Sequence, residues 1–287
     1  MIGTTATHAG AGGLPYVMLR AVDGAAADIY LHGAHVTSWR PAPDGDEQLF
    51  LSSRSEFRAG AAIRGGIPVI FPQFAAEGPL PRHGFARTLE WALDGIEHTE
   101  NDAIATFSFA PTPEIHAIWP AEFLATLEIC VGGPRLVVTL RVENVGSSPF
   151  SFTCALHTYL RVRDAAQAEL VGLKGARFRD ATDKTKLRID DEPVLRVTGE
   201  LDRVYVGAPP ALVLREPKRA LGIETRGFPD VVVWNPGRRR AAALPDMEPN
   251  GERTMLCVEA AVVQTPITLA TGGHWHGSQL LDCSVHP

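Results

Sequence analysis

The segment FSFTCALHTYLR, residues 150–161, alternates between two kinds of side chain. Phe150, Phe152, Cys154, Leu156 and Leu160 fall on one side, and Ser151, Thr153, His157, Tyr159 and Arg161 on the other. Successive side chains of a β-strand point to opposite faces, so the segment reads as a strand with one face in a core and His157 on the polar face. Such a face lines a wet cleft or simply meets solvent. A second segment, TMLCVEAAV at residues 254–262, behaves the same way. Thr254, Leu256, Val258, Ala260 and Val262 share one face, while Glu259 lies on the other between Cys257 and Ala261. A carboxylate with such small apolar neighbours sits near a strand edge or in a partly dry site. Partial burial would raise its pKa and strengthen it as a base.

Outward from these two segments the chain keeps the same texture. Short apolar runs recur at Ala103–Ala110, Phe123–Val131, Leu136–Asn144, Ala211–Leu214 and Val231–Trp234, between breaks supplied by 27 Gly and 22 Pro. Many short strands between turn signals predict an all-β sandwich or barrel. No linker, repeat or low-complexity tract divides the chain, so residues 1–287 read as one domain. Helical signal is scarce. Ser52–Arg58 is expected to form a helical turn, with Ser52 or Ser53 capping it ahead of Glu56.

The 287 residues are 45% hydrophobic and 21% charged, ordinary for a globular protein with a sizeable core. The net charge of −6 speaks against general nucleic-acid binding, which needs a cationic surface, but allows a local cationic pocket for a small anion. Cys130, Cys154, Cys257 and Cys283 are not spaced as CxxC, so neither a zinc knuckle nor a redox motif is expected, and Cys154 and Cys257 read as small buried hydrophobes. The first residues lack a charged segment ahead of an apolar stretch, and no run approaches the roughly 20 apolar residues of a membrane span. A cytoplasmic location is expected, with no membrane partner. P-loop, HExxH, GxSxG and GxGxxG motifs are absent. The pair His274 and His276 reads as exposed loop, because no third metal ligand stands nearby. The run Arg238–Arg240 after Asn235–Pro236–Gly237 reads as a solvated turn that could also face an anion.

Seven segments together resemble the glucose-6-phosphate 1-epimerase (hexose-6-phosphate mutarotase) family of the aldose 1-epimerase superfamily. They are LHGAHVTSW (31–39), IRGGIPVIFPQF (63–74), LPRHGFARTLEW (80–91), ALHTYLRV (155–162), LDRVY (201–205), VVVWNPG (231–237) and MLCVEAA (255–261). Each is weak alone. RGGIPV, HGFAR and CVEAA in one chain form a strong joint signal, and the set covers about four-fifths of the sequence. The resemblance implies a galactose-mutarotase-like antiparallel β supersandwich, a small-molecule sugar phosphate as substrate, and chemistry without a metal or organic cofactor; a monomer is expected. It makes His157 the general acid and Glu259 the general base. It makes Arg64 and Arg87 phosphate- or sugar-binding groups, His83 a lining residue of the sugar site and Asp202 a partner for hydroxyls. The position before HGFAR is often glutamine in the family. Here it is Arg82, which would favour a phosphate or simply point outward.

The chemistry suits these residues. Exchanging anomers opens the hemiacetal ring, which takes a base for the anomeric hydroxyl and an acid for the ring oxygen. Unperturbed Glu (about 4.3) is ionised at neutral pH and unperturbed His (about 6.5) partly protonated. Arginine's planar fork gives phosphate paired, charge-assisted hydrogen bonds, and Gly65–Gly66 after Arg64 would let the backbone approach a ligand closely. Without the resemblance, blander readings lead: a plain turn for the glycines, surface ion pairs for Arg64 and Arg87, a structural histidine at 157, a turn residue at 202 and a loop brace at 83. Two rivals remain at this stage, an aldose 1-epimerase for free sugars and a non-catalytic carbohydrate-binding module.

Overall fold

A computed structural model of the chain describes residues 7–41, 45–181 and 187–285. Among them, three antiparallel sheets contain four, eight and nine strands. The four-stranded sheet runs from His8–Ala9 to His35–Arg40 in chain order. The nine-stranded sheet is built on long central strands, Phe123–Gly132, Arg135–Asn144 and His274–Asp282. The eight-stranded sheet places Leu201–Val206, Asp230–Asn235, Met255–Leu269 and Phe150–Leu156 side by side.

The alternation read from the sequence decides which face of the eight-stranded sheet is dry. Phe152, Cys154, Leu156, Val231, Val233, Leu256, Val258 and Ala260 share one apolar core with Phe107, Leu127, Val138, Leu140, Ile223 and Leu281 of the nine-stranded sheet. The two sheets therefore pack face to face, an all-β supersandwich as expected. Residues of the opposite parity, including Val232, Trp234, Cys257 and Glu259, point to the other face. The period of two, carried across hydrogen-bonded neighbours, aligns them in rows.

Four local expectations need correction. The segment 150–161 is not one strand: Phe150–Leu156 and Tyr159–Arg161 flank a gap at His157–Thr158. There the backbone leaves the ladder, and His157 N–H donates to the Pro68 carbonyl (3.0 Å) while Tyr159 N–H donates to Gly66 (2.9 Å). Ser52–Arg58 contains no helix. Ser52 Oγ instead accepts from Arg54 N (3.2 Å) and Glu248 N (2.9 Å) and donates to the Asp246 carbonyl (2.7 Å), which draws it into a distant loop. Arg238–Arg240 lie in a short helix, Gly237–Ala243, rather than a turn. His274 and His276 are exposed as expected, but they belong to a strand, His274–Asp282, and not to a loop.

Gly65 and Gly66 serve packing rather than a ligand. Both have positive φ, 122° and 62°. A Cβ on Gly65 would lie 2.3 Å from the Phe50 carbonyl oxygen, and one on Gly66 would lie 2.2 Å from that of Val36. The close approach comes from the chain's own backbone.

The strand Asp230–Asn235 is pinned at both ends. Asp230 is buried and its carboxylate accepts from Val263 N (2.8 Å), Gln264 N (2.8 Å) and Gly207 N (3.3 Å). Asn235 donates to the Glu252 and Met255 carbonyls (2.8 and 2.9 Å) and accepts from Gly237 N (2.9 Å). These bonds fix the register in which Val232 faces Glu259. Asp230→Ala leaves buried N–H groups without an acceptor, so a loss of about 3 kcal/mol is expected in urea unfolding. Asp230→Asn, which keeps one acceptor oxygen, should lose less. Equal stability of the alanine variant and wild type would contradict this account.

Candidate active site

The wet face of the eight-stranded sheet is the floor of a cleft of about 570 Å³. One row across it runs Arg179, Val204, Val232 and Glu259, each the registered partner of the next. Leu156 pairs with Ala260 on one side of the next position in that row and Tyr159 with Cys257 on the other, which brackets position 157. That register sets His157 directly across from Glu259, although about a hundred residues separate them in sequence. Directly opposed side chains share a face at close range. A second row carries Asp202, Trp234, Cys257 and Tyr159. Loops supply the walls: Arg64, the segment Phe74–Glu77, and Arg82, His83 and Arg87.

The structure thus brings every sequence-derived candidate to one cleft: His157, Glu259, Arg64, Arg82, His83, Arg87 and Asp202 all line it. His157 Nδ1 lies 3.3 Å from Glu259 Oε1. The two are close without an aligned hydrogen bond. His157 Nδ1 and Glu259 Oε2 are both buried with no hydrogen-bond partner among the described residues. Buried polar atoms are nearly always partnered, so two orphans on adjacent side chains mark a place where a ligand completes the bonding.

Burial also changes the expected charges. Desolvation, with Asp202 nearby, raises the Glu259 carboxyl well above its ordinary value, against the pull of Arg87. Desolvation, with His83, Arg87 and Arg64 nearby, lowers His157 well below its ordinary value. Both shifts run against the ionised pattern and favour the neutral form, an uncharged imidazole beside a protonated carboxyl. Its proton count equals that of the carboxylate–imidazolium form; only the position of one proton differs. His83, lowered to about 3 by burial and then by Arg87, Arg82 and Arg64, is neutral. It accepts Ala75 N–H at Nδ1 (3.3 Å), which puts its own proton on Nε2. That proton is a neutral donor on the cleft wall.

The arginines divide into two kinds. Arg64 is fully engaged: Nε and Nη2 donate to the Asp246 carboxylate (3.1 and 3.2 Å) and Nη1 to the Tyr159 hydroxyl (2.9 Å). Arg179 is clamped by both oxygens of Glu77 (2.7 and 2.9 Å), and Arg240 pairs with Glu200 (2.8 Å) and Asp202 (3.6 Å). Arg82 and Arg87 pair with no carboxylate among the described residues. Arg87 Nη2 donates to the Arg82 carbonyl (3.2 Å), while its buried Nε has no partner. Burial, and then Arg64 and Arg82, bring Arg87 down to about 10 despite the opposing influence of Tyr159. It remains charged at neutral pH, but with free bonding capacity that an anion would fill.

Sequence reasoning missed several lining or supporting groups. The Tyr159 ring stacks on that of His157 at 4.7 Å and 8°, and Trp234 meets the His157 ring edge-on at 5.9 Å. Tyr159 stands two residues from His157 on the same face, so strand periodicity alone could have flagged it. Arg240 sits in the basic run already noted. Arg179 and Asp246 carry no local signal, because only the sheet register and a distant loop bring them in.

With this geometry in hand, comparison with known proteins is decisive. A family profile described as aldose 1-epimerase matches residues 16–282. The chain belongs to the aldose 1-epimerase family. Two relatives named "Putative glucose-6-phosphate 1-epimerase" extend the match. The one from Cenchrus ciliaris is 39% identical over 276 residues, covering 92% of this chain and 83% of its own. The one from Escherichia coli K12 is 35% identical over 240 residues, covering 82% and 79%. Among solved structures, the protein described as "a putative mutarotase (YeaD)" from Salmonella typhimurium superposes with a TM-score of 0.87 at 29% identity, over 94% of this chain and 90% of that one. The epimerase interconverts sugar anomers, and its fold is the galactose-mutarotase-like supersandwich. No helix among the described residues is long and apolar enough to cross a membrane.

Proposed function

We propose that this epimerase acts on a hexose 6-phosphate, with glucose 6-phosphate the first candidate from its relatives' names, and that it works as a single-domain cytoplasmic monomer. One observation carries the substrate class. The cleft floor holds the His157–Glu259 pair 3.3 Å apart with an unpartnered atom on each, and the wall holds two cations, Arg82 and Arg87, that form no close ion pair with a described carboxylate. An acid–base pair serves any sugar. Unspent arginine calls for an anion.

In the reaction, the Glu259 carboxylate removes the proton of the anomeric hydroxyl while the C1–O5 bond breaks and the His157 imidazolium protonates the ring oxygen. The open-chain aldehyde turns about C1–C2. Reclosure on the other face returns both protons, so the pair ends as it began. His83 Nε2–H and Asp202 hold sugar hydroxyls, and Arg87 with Arg82 holds the phosphate. The phosphate also prepares the pair. Arg87 and Arg64 are among the charges that keep His157 neutral, and an anion seated against them cancels part of that field. Binding then favours transfer of the shared proton from Glu259 to His157, which is the reactive arrangement.

The test is exchange between the two anomers of glucose 6-phosphate, followed by NMR with free glucose in parallel. Fast exchange of the phosphorylated sugar with little effect on glucose is expected. Background exchange of the phosphate with fast exchange of glucose would move the assignment to a free-sugar epimerase, and inactivity on both would favour a carbohydrate-binding module.

The one-proton requirement also sets the pH dependence. Activity should fall on the acid side when the pair takes a second proton, charging His157 at a pH below its ordinary 6.5. It should fall on the alkaline side when the last proton leaves Glu259, above its ordinary 4.5. The profile of kcat/KM is therefore bell-shaped. A rate that climbs steadily with pH until the uncatalysed reaction takes over would contradict the shared-proton mechanism.

A further inference from the structure

The face of the sheet that carries the acid–base pair also carries a thiol. His157, Cys257 and Glu259 are all buried, and one ligand atom from each lies within 4.8 Å of the others. Cys257 is two residues before Glu259 on the same strand face, and the register sets it opposite Tyr159 and Trp234. The proposed reaction uses the imidazole and the carboxyl and leaves the sulfur idle. The two orphaned atoms, His157 Nδ1 and Glu259 Oε2, belong to the same trio.

We propose that these three side chains form a binding site for a thiophilic divalent cation such as zinc, and that its occupancy blocks the epimerase. Nitrogen, sulfur and oxygen donors are the set that zinc takes, and tetrahedral bonds of about 2.0–2.3 Å space ligand atoms about 3.4–3.6 Å apart. His157 Nδ1 and Glu259 Oε1 already stand at 3.3 Å. A side-chain adjustment of about an ångström brings Cys257 Sγ into such a set. His157 and Glu259 line the cleft of about 570 Å³, which gives the ion a path to them, while Cys257 lies buried just behind. Magnesium and calcium, which want oxygen shells, do not suit these donors. A bound ion takes a lone pair from each member of the catalytic pair, so it excludes the reacting sugar. This inhibition rests on the roles given to His157 and Glu259; the binding does not.

The experiment titrates purified protein with zinc chloride alone by calorimetry, with magnesium as control, and separately with cadmium chloride while following thiolate-to-metal absorption in the ultraviolet. A Cys130→Ala/Cys283→Ala background removes the partly exposed thiols from the readout. One zinc per chain is expected, with affinity at least tenfold weaker and no cadmium–thiolate band in both Cys257→Ser and Cys257→Ala, each checked for wild-type circular dichroism. Replacing the exposed His274 and His276 with alanine should leave this uptake intact. In the anomer-exchange assay zinc should inhibit wild type in competition with the sugar phosphate. Measured against its own metal-free rate, Cys257→Ser should need at least tenfold more zinc for the same fractional inhibition. Absence of zinc uptake by wild type, or uptake that does not depend on Cys257, would overturn the site. Cysteine-dependent uptake by a protein that never exchanges the sugar phosphate would uphold the site and sink the catalytic assignment alone.

Discussion

Glu259→Gln lowers the rate of anomer exchange on glucose 6-phosphate by about 10²–10⁴-fold, the range a positioned acid–base group contributes. The substitution keeps the shape of the side chain and removes only the ability to take a proton. Its effect should fall on kcat. Arg82 and Arg87, proposed to hold the phosphate, belong to the cleft wall and are untouched, so KM should move little, the signature of an interaction made in the transition state. Stability should also hold. Burial favours the protonated carboxyl, and an amide replaces that neutral group by another. His157→Asn should cost a similar factor, and the double variant little more than either, because the two act as one proton-transfer unit. Exchange by Glu259→Gln within tenfold of wild type, after subtraction of the uncatalysed rate, would remove Glu259 from the mechanism.

The residues that matter most here were legible for a simple reason. Period-two alternation set His157 and Glu259 apart from the core faces of their segments, and in the structure both line the cleft, His157 from a break between two strands. What the sequence could not carry was the register between the strands. Nothing in residues 150–161 or 254–262 says that position 157 stands across from 259 rather than 257. That pairing depends on the ladder to either side of it, where Leu156 meets Ala260 and Tyr159 meets Cys257. The break at His157–Thr158 was equally hidden, since alternation continues through it while the backbone turns to Pro68 and Gly66. The electrostatics of the pair needed the fold for the same non-local reason. Reference pKa values apply to solvated groups, and the desolvation that raises Glu259 and lowers His157 comes from the assembled sheet. The roles of the arginines also needed the fold. RGG and HGFAR supplied two similar cations, and only the distant Asp246 distinguishes the engaged Arg64 from the unspent Arg87.

That distinction gives the second large effect. Arg87→Met should lower kcat/KM for glucose 6-phosphate by about 10–100-fold, since hydrogen bonds to charged groups are worth about 1.5–3 kcal/mol and each 1.4 kcal/mol is a factor of ten. Free glucose should lose far less, because the lost partner is the phosphate. The loss should appear in kcat as well as KM if the seated anion helps to move the pair's proton onto His157. An anchor that only held substrate would raise KM alone. Arg82→Gln should act in the same direction but more weakly, since Arg82 is exposed and water screens its charge. Arg64→Met should behave differently again. Its fork holds Asp246 and the Tyr159 hydroxyl, and the Tyr159 ring stacks on His157, so its removal should disturb the acid and reduce exchange of either sugar. Parallel kinetics of the three variants on phosphorylated and free sugar separate the anion-binding arginines from the one that braces the acid. An Arg87→Met enzyme with an unchanged preference for the phosphorylated sugar would place the phosphate elsewhere in the cleft.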